Sequence, residues 1–315
     1  MIDMQKSTAY PIIIQFLFLI LLAIAGAVVF TIILLIVWFV TSKGPISLDA
    51  ISSNNPMLMD INLLRASQIG SSIGLFVAAP IAFSYVVEKK PKKYLYFDNP
   101  LKLNLFILAI ILMFCAMPLL EFSTIVNQEL KLPAAFKDLE VWMRNSEEQA
   151  ALLTKKLLLM NNLGDLAINL LMIAVIPAIG EELFFRGGLQ NILGQWFKNH
   201  HAAIWVTAIV FSSIHLQFYG FLPRMLLGAL FGYLLIYSKN MWLPILGHFI
   251  NNGSAVVMAY VYQKQGKNLD DLDNATSFNN IGYAISAVLT IVLLYFFFKL
   301  AKLGKATINH EQQLG

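Results

Sequence analysis

The chain has 315 residues, of which 58% are hydrophobic and only 13% are charged, and its mean hydropathy is +0.69. A soluble domain carries roughly 25% charged residues, so this chain has too few charges to cover a water-exposed surface. The composition therefore excludes a soluble globular protein and a disordered one. The formal net charge of +4 does not indicate nucleic-acid binding, because the basic residues lie between apolar runs rather than in a patch. Cys115 is the only cysteine, which excludes an internal disulfide and a multi-cysteine metal cluster.

Long charge-free runs organise the sequence. Residues 7–42 contain no acidic or basic side chain, and the run from Pro11 to Val40 is far too long for the apolar region of a signal peptide. A membrane helix needs about 20 consecutive apolar residues. Eight spans are expected, at about 11–40, 66–87, 103–120, 166–186, 202–219, 222–238, 240–262 and 280–299. The sequence therefore predicts an all-α membrane protein with about eight transmembrane helices.

The lysine and arginine distribution predicts the orientation. Eight spans place both termini on one side, and the segments on that side hold 12 of the 22 basic residues. Five of the other ten lie in the long stretch 121–165, which counts little toward topology. The sequence Lys-Lys-Pro-Lys-Lys at 89–93 is the strongest local signal. We expect both termini to be cytoplasmic in a plasma-membrane protein. The cluster is interpreted as a topology anchor, and binding of lipid headgroups is the alternative.

Two polar segments interrupt the apolar runs. In the stretch 121–165, charges alternate with leucine and alanine at helical spacing between Glu147 and Met160. This pattern predicts an amphipathic helix on the membrane surface or capping the bundle. A short polar loop is expected at 263–279, where three acids lack the alternating ligands and terminal glutamate of a calcium loop. These acids are Asp270, Asp271 and Asp273.

Ionisable residues inside apolar spans are costly and mark candidate functional sites. The first group is Glu181, Glu182 and Arg186, at the end of an uncharged run. Glu182 and Arg186 are four residues apart and can form a salt bridge on one helix face, whereas Glu181 points elsewhere. Pro177 is expected to kink this helix. The group is interpreted either as a buried acid–base centre or as a helix end at residue 180 whose glutamates face water.

Two further spans carry polar groups at a similar depth. His215 interrupts one apolar run, and His248 with Asn252 interrupts another, where both side chains share a helix face. Each can be a packing residue or an interhelical clamp, and the pair His248 and Asn252 can also donate to an oxyanion. At 1.5 Å per residue, Glu181 lies roughly 22 Å from the outer start of its helix. The three helices are therefore expected to bring their polar groups into one layer.

The three motifs together resemble a known family. Glu-Glu-x-x-x-Arg at 181–186, Phe-x-x-x-His at 211–215 and His-x-x-x-Asn at 248–252 are similar to those of the CPBP (CAAX protease and bacteriocin-processing, Abi-type) intramembrane proteases. The resemblance implies an eight-helix membrane endopeptidase whose site opens to the cytoplasm. It also implies a division into an N-terminal region, a catalytic membrane core and a polar cytoplasmic tail. Their predicted bounds are 1–160, 161–300 and 301–315.

The resemblance implies functional roles for six residues. They are Glu181, Glu182, Arg186, His215, His248 and Asn252. By position, Glu181 would be the essential glutamate, and His215 would help it activate a water molecule. Glu182 and Arg186 would brace the first helix of the core.

By position, His248 and Asn252 would hold the developing oxyanion. The family is described as metalloproteases, although its metal dependence is disputed. The sequence contains no His-Glu-x-x-His motif, but Glu181, His215 and His248 could supply three zinc ligands. We favour water activated by glutamate over a resident metal ion.

The leading hypothesis is an intramembrane endopeptidase that cleaves a membrane-associated protein or peptide near the cytoplasmic face. The expected partners are membrane lipid and this substrate, with no nucleic acid. A prenylated CAAX protein and a secreted or bacteriocin-like peptide fit equally well. The alternative is a non-catalytic scaffold or immunity protein, or a proton- or ion-coupled transporter that uses the same buried groups. A transporter would show internal repeats with interrupted helices, and the sequence shows none.

Overall fold

The structure, a computed structural model, describes residues 10–41, 59–269 and 278–314, with side chains as far as Lys302 in the last range. Within these ranges the chain is helical and has no strand. This agrees with the predicted all-α membrane class. The polar loop expected at 263–279 lies largely outside the described residues.

Nine helices of more than two turns follow one another in the described ranges. They are α1 (Ile12–Thr41), α2 (Ile61–Glu88), α3 (Leu103–Glu129), α4 (Lys137–Leu157), α5 (Leu163–Phe197), α6 (His200–Ser213), α7 (Phe221–Ser238), α8 (Trp242–Lys264) and α9 (Asn280–Leu314). Single turns at Pro91–Tyr94, Ala134–Phe136 and Phe218–Gly220 connect some of them.

Six of these helices are long and apolar enough to cross a membrane: α1, α2, α3, α5, α7 with its preceding turn, and α9. The other two predicted spans differ from expectation. The span expected at 202–219 is the 14-residue helix α6, which ends at Ser213 and is followed by a turn. The span expected at 240–262 is the 23-residue helix α8, whose middle carries polar side chains. The chain is a multi-pass membrane protein, and the count of eight spans stays a prediction.

A close crossing joins α1 to α2, and a shared core packs both helices against the rest of the bundle. In the crossing of α1 and α2, Gly26 and Gly74 lie backbone to backbone, so a Cβ on either would overlap the other residue's carbonyl group. Glycine is required here because only a residue without a side chain allows this approach. Beyond the crossing, Leu19 of α1 and Phe83 of α2 are fully buried in a core shared with α5 and α8.

Near Pro118 of α3 and Pro177 of α5, a side chain from another helix binds the helix backbone. In α3, Pro118 lies next to the point where Ser286 of α9 inserts into the backbone. The Ser286 hydroxyl donates to the carbonyl of Cys115 at 2.6 Å and accepts from the amide of Leu119 at 3.0 Å. The hydroxyl thereby replaces the helical bond between these two groups and ties α9 to α3.

Polar contacts join helix termini and connecting turns at each of the two opposite ends of the bundle. At the first end, Asn99 donates to the carbonyl of Lys239 at 2.7 Å and Tyr96 donates to Asn191 Oδ1 at 2.9 Å. Burial raises the pKa of Tyr96, which keeps its phenol protonated as a donor. The cluster at 89–93 lies at this end, which we call the lysine end.

The opposite end is covered by the amphipathic helix predicted for 121–165. This helix, α4, has no buried residue. It is held to the turn between α6 and α7 by Arg144, whose guanidinium lies 4.6 Å from the Tyr219 ring centre, and by Glu147, which accepts from the Tyr219 amide at 3.3 Å. Asn127 of α3 donates to the carbonyl of Phe218 in the same turn at 2.9 Å. We call this the α4 end.

Replacing Gly74 by alanine is predicted to separate α1 from α2. The added methyl group overlaps the Gly26 backbone, and overpacking of this kind costs about 1–3 kcal/mol. Gly253→Ala in α8 is the matched control, because its methyl group would meet nothing closer than 3.7 Å. Thermal unfolding in detergent, followed by circular dichroism, should show a lower midpoint for Gly74→Ala only. Equal midpoints for the two variants would contradict the close crossing.

Candidate active site

A cavity of about 630 Å3 lies between the helices of the second half and runs toward the α4 end. Residues from seven helices and from the turn between α6 and α7 line it. The polar or charged lining residues are Gln68, Glu121, Thr124, Thr154, Glu181, His215, Arg224, His248, Asn251 and Asn252. Most of the remaining lining side chains are apolar, as expected for a pocket that takes up an amphipathic ligand.

Behind the cavity wall, Glu182 and Arg186 form an ion pair that is completely buried. Their side chains are 0% exposed, and Arg186 Nη1 donates to Glu182 Oε1 at 2.9 Å. Arg186 Nη2 also donates to the carbonyl of Gly228 in α7 at 3.0 Å, and its guanidinium lies over the ring of Phe211 at 4.8 Å. Buried charges require this degree of pairing, because an unpaired one costs several kcal/mol. The pair thereby fixes α5 against α6 and α7.

Glu181, which directly precedes Glu182 in the chain, faces the cavity instead of the protein interior. Its carboxylate is 13% exposed and lines the cavity. The helix does not end at residue 180, since α5 continues through a π-helical segment, Glu182–Leu189. Such wide turns are frequent at functional sites. The two glutamates therefore separate into one that pairs inside the protein and one that faces the cavity.

His248 of α8 lies between the two glutamates. Its Nδ1 is 2.8 Å from Glu182 Oε1, and its Nε2 is 3.8 Å from Glu181 Oε2. Because Glu182 is ionised by its pairing with Arg186, the Nδ1–H donates to it. The amide of Asn252 contacts Nε2 at 3.2 Å, which assigns the lone pair of the neutral imidazole to Nε2. The ring stacks on Phe231 with a centroid distance of 5.4 Å.

Asn252 connects α8 to the proline of α5. Besides contacting His248, its Nδ2 donates to the carbonyl of Ile173 at 2.9 Å. Pro177 lies four residues after Ile173 and has no N–H to offer that carbonyl. The proline expected to kink this helix therefore leaves an acceptor that Asn252 binds. Asn251 Nδ2 in turn donates to Asn252 Oδ1 at 3.0 Å, which completes the orientation of the amide.

His215 reaches the cavity from the turn after α6. The helix ends at Ser213, so His215 does not lie inside a membrane helix as the sequence predicted. Its Nδ1 donates to the carbonyl of Phe211 at 2.7 Å, which leaves the lone pair of the neutral ring on Nε2. Leu216 follows with φ of +53°, a left-handed conformation that a leucine adopts only under strain.

The six predicted residues thus fall into two sets. The cavity is lined by Glu181, His215, His248 and Asn252, whereas Glu182 and Arg186 lie behind its wall. The other polar lining residues were missed, among them Arg224 and Asn251. Arg224 is a charged residue inside a predicted span, and such a residue is by itself a sign of a functional site. Asn251 gave no comparable sign. The sequence of two adjacent asparagines in an apolar helix does not reveal which of them faces the cavity.

The three side chains proposed as zinc ligands do not come together in a metal-binding set. Among the described residues, no group of three His, Cys, Asp or Glu side chains lies close enough to hold a metal ion. His248 Nε2 and Glu181 Oε2 are 3.8 Å apart, but His215 does not join them in a group of three among the described residues. The geometry does not fit a three-ligand zinc site, and the chemistry below is derived from the side chains alone.

The sequence predicted the lysine cluster and the site on the same membrane face, and the structure tests whether they lie at the same end of the bundle. The lysine cluster and a site open to the cytoplasm were both expected on the cytoplasmic face. In the bundle, the cavity runs to Gly220 and Pro223 at the first turn of α7, whereas the lysine end lies beyond the last turn of the same helix. At 1.5 Å per residue, the 18 residues of α7 separate the two ends by about 27 Å. The lysine cluster and the residues of α7 that line the cavity at its first turn therefore lie toward opposite ends of this helix.

Comparison with known proteins supports the resemblance seen in the motifs. Residues 163–254 match a family model described as type II CAAX prenyl endopeptidase Rce1-like. The matched segment runs from the start of α5 into α8 and contains all three motifs. The resemblance to CAAX-type intramembrane proteases is thereby confirmed for this part of the chain. No curated protein and no solved structure matches the chain.

Arg186→Met is predicted to destabilise the protein strongly. It leaves the Glu182 carboxylate charged and unpaired in a site that is 0% exposed, and breaking a buried pair costs about 3–5 kcal/mol. The double variant Glu182→Leu, Arg186→Met removes both charges and is expected to recover most of the unfolding temperature. Thermal unfolding in detergent compares the three proteins. A double variant no more stable than the single one would contradict a mainly electrostatic cause.

Labelling of single cysteines is predicted to place the two ends on opposite membrane faces. Lys92→Cys and Glu148→Cys, each exposed, are introduced after Cys115→Ala. The positive-inside rule places the lysine end in the cytoplasm, so an impermeant maleimide should label only Glu148→Cys on intact cells. Labelling of Lys92→Cys alone would instead place the cavity on the cytoplasmic side, and labelling of both would contradict the fold.

Proposed function

We propose that this multi-pass membrane protein, whose residues 163–254 match the Rce1-like type II CAAX prenyl endopeptidases, is an endopeptidase that hydrolyses a peptide bond inside its membrane cavity. The observation that carries the proposal is the Glu181 carboxylate, which lines the cavity beside the imidazole of His248. Glu181 Oε2 and His248 Nε2 are separated by 3.8 Å. The Nε2 lone pair already accepts from Asn252, so a water molecule in the cavity beside them donates a hydrogen bond of about 2.8 Å to Glu181.

Such a water molecule is oriented for nucleophilic attack. With one hydrogen directed at Glu181, a lone pair of this water points into the cavity toward a substrate carbonyl. Glu181 takes one proton as the bond to the carbonyl carbon forms, and it returns the proton to the leaving amine when the peptide bond breaks. The products are a carboxylic acid, which keeps the second proton of the water, and an amine, so the reaction consumes one water and needs no other reactant.

His215 and Asn251 complete the proposed site. His215 presents Nε2 to the same cavity, with its ring fixed by the bond to the Phe211 carbonyl, so we assign it a share in proton transfer with Glu181. Asn251 uses one amide hydrogen for Asn252, and the other is available for the developing oxyanion. In this scheme Asn252 is a positioning residue, because its amide hydrogens already serve His248 and Ile173.

The buried ion pair acts on the chemistry through His248. Glu182 accepts the Nδ1–H, which fixes both the ring and its tautomer, so that Nε2 stays the acceptor for Asn252 and the ring is held beside Glu181. Arg186 holds the carboxylate in place for this purpose. The geometry resembles the way in which a carboxylate orients a catalytic histidine in other hydrolases. We therefore propose that Glu182 and Arg186 are positioning residues.

The proposed substrate is a membrane-associated protein or peptide, because the cavity lies within a bundle of membrane helices and combines apolar with polar lining side chains. The matched family model refers to prenylated CAAX proteins, whereas secreted or bacteriocin-like peptides fit the same cavity. The membrane face from which the substrate enters follows from the cysteine-labelling result. A cavity open to the cytoplasm favours the prenylated class, and one open to the other side favours secreted peptides.

Glu181→Gln is predicted to reduce kcat at least 100-fold without unfolding the protein, since the amide has nearly the same shape but cannot accept the proton. Glu121→Gln is the matched control, because Glu121 lines the same cavity but accepts from the Tyr283 hydroxyl at 2.7 Å. Cleavage of membrane peptides from the native host is measured by mass spectrometry with purified protein in liposomes.

Two outcomes would contradict the proposal. Unchanged cleavage by Glu181→Gln would remove Glu181 from the reaction. Ion flux into empty liposomes that disappears with the same substitution would indicate a transporter that uses the buried glutamate, and it would favour the alternative function over hydrolysis.

A further inference from the structure

A second, smaller cavity lies between α1 and α2 at the lysine end and shares no residue with the candidate active site. It has a volume of about 190 Å3, and all but one of its lining side chains are apolar or aromatic. They are Tyr10, Ile14, Gln15, Phe18, Val86 and Val87. Pockets that enclose a whole small molecule measure about 300–1,000 Å3. This groove, which we call the α1–α2 groove, therefore has room for only part of a ligand, and the remainder of the ligand lies in the bilayer.

One buried polar atom in the α1–α2 groove lacks a hydrogen-bond donor. Gln15 is 1% exposed, and its Nε2 donates to the carbonyl of Tyr10 at 2.8 Å. Its Oε1 accepts no hydrogen bond from any of the described residues. A buried acceptor without a donor is costly, and native proteins leave few of them. The oxygen therefore marks a position at which a bound molecule can donate a hydrogen bond.

Positive charge lies next to the groove. Lys89 and Lys90 follow the lining residue Val87 by two and three positions, and both are exposed. Between residues 88 and 93, four lysines accompany a single acidic side chain. The helix α1 begins at Ile12, beside the groove, and the positive end of its dipole faces the same side. An apolar floor with a cationic rim fits a phosphate that is attached to hydrocarbon chains.

The direction of the Gln15 side chain selects among the phospholipid headgroups. Because Nε2 binds the Tyr10 carbonyl, the amide points back toward the beginning of α1 and so toward the membrane surface. An acyl chain has no donor for Oε1, and neither has a choline headgroup. A headgroup ammonium is a donor, but the neighbouring lysines repel it. The hydroxyl groups of a glycerol or inositol headgroup are donors without charge, so they fit both features.

We propose that the α1–α2 groove binds one anionic phospholipid whose headgroup carries hydroxyl groups, with phosphatidylglycerol as the representative. The phosphate lies at Lys89, Lys90 and the N-terminus of α1. A headgroup hydroxyl donates to Gln15 Oε1, and one acyl chain packs against Phe18 and Val86. The lipid thereby links the first turns of α1 to the last turn of α2. This site does not depend on the proposed endopeptidase activity.

The experiment compares three lipids with identical acyl chains. Phosphatidylglycerol and phosphatidylethanol carry the same charge, but only the first has headgroup hydroxyls, and phosphatidylcholine has no net charge. Equal amounts are added to the purified protein in detergent, and the bound lipids are counted by native mass spectrometry. Phosphatidylglycerol should bind about 10-fold better than phosphatidylethanol, because its hydroxyl satisfies the buried oxygen. Phosphatidylethanol should bind about 5- to 30-fold better than phosphatidylcholine, the range for one or two lysines at a membrane surface.

Two variants separate the contribution of the hydroxyl from that of the charge. Gln15→Leu removes the acceptor with little change in size, so binding of phosphatidylglycerol should fall to that of phosphatidylethanol. The double variant Lys89→Gln, Lys90→Gln should weaken both anionic lipids and retain their ratio. Lys198→Gln is the matched control, because Lys198 is exposed at the same end and has φ of +52°, close to the +54° of Lys89. It should leave all three affinities unchanged.

Thermal unfolding gives a measurement that does not depend on the folding of Gln15→Leu. A ligand that binds only the folded protein raises its unfolding midpoint. At equal concentration, phosphatidylglycerol should therefore raise the midpoint of the wild-type protein more than phosphatidylethanol does. Val86→Phe, which fills the groove and leaves the Gln15 amide in place, should abolish this difference.

Three results would overturn the inference. Equal binding of phosphatidylglycerol and phosphatidylethanol by the wild-type protein would remove the hydroxyl contact and with it the proposed headgroup. Equal binding of all three lipids would indicate unspecific lipid around the bundle and no site. A preference for phosphatidylglycerol that persists in folded Gln15→Leu would place the headgroup elsewhere. None of these results involves Glu181, so the proposed endopeptidase stands or fails by its own test.

Discussion

The buried ion pair between Glu182 and Arg186 is the interaction on which the arrangement of the site depends. A charge that is removed from water inside a membrane bundle must be neutralised and hydrogen-bonded. Here each charge neutralises the other, and the bonds that remain reach α7 through the Gly228 carbonyl and α8 through His248. Satisfying two charges in an apolar interior thus fixes three helices, and the orientation of His248 follows from it.

Irregular backbone provides the remaining bonds. Pro177 leaves the Ile173 carbonyl without its helical partner, and Asn252 binds there while its amide also contacts His248. Where the π-helical turns of α5 begin, Glu181 faces the cavity and Glu182, the next residue, faces the interior of the protein. At Pro118 of α3 the same principle applies, with Ser286 between the broken helical groups. In each case a local defect of one helix becomes a contact point for another.

The cavity combines groups of opposite charge along one path. Glu181 and His248 form the polar wall in the middle of the bundle, and Arg224 lies nearer the α4 end. Because the surrounding side chains are largely apolar, electrostatic interactions in this space are stronger than in water. The amphipathic helix α4 covers the opening through Arg144 and Glu147.

The sequence by itself determined the membrane class, the amphipathic segment and the three motifs, because each depends on composition or on spacing along one helix. The pairing of Glu182 with Arg186 followed from their four-residue separation. The tertiary structure decided the rest. It placed His215 in a turn rather than within a span, because α6 ends early. It also brought Arg224 into the cavity and set the cavity opposite the lysine end. These features depend on which helices pack together, and residue spacing within one helix carries no information about its neighbours.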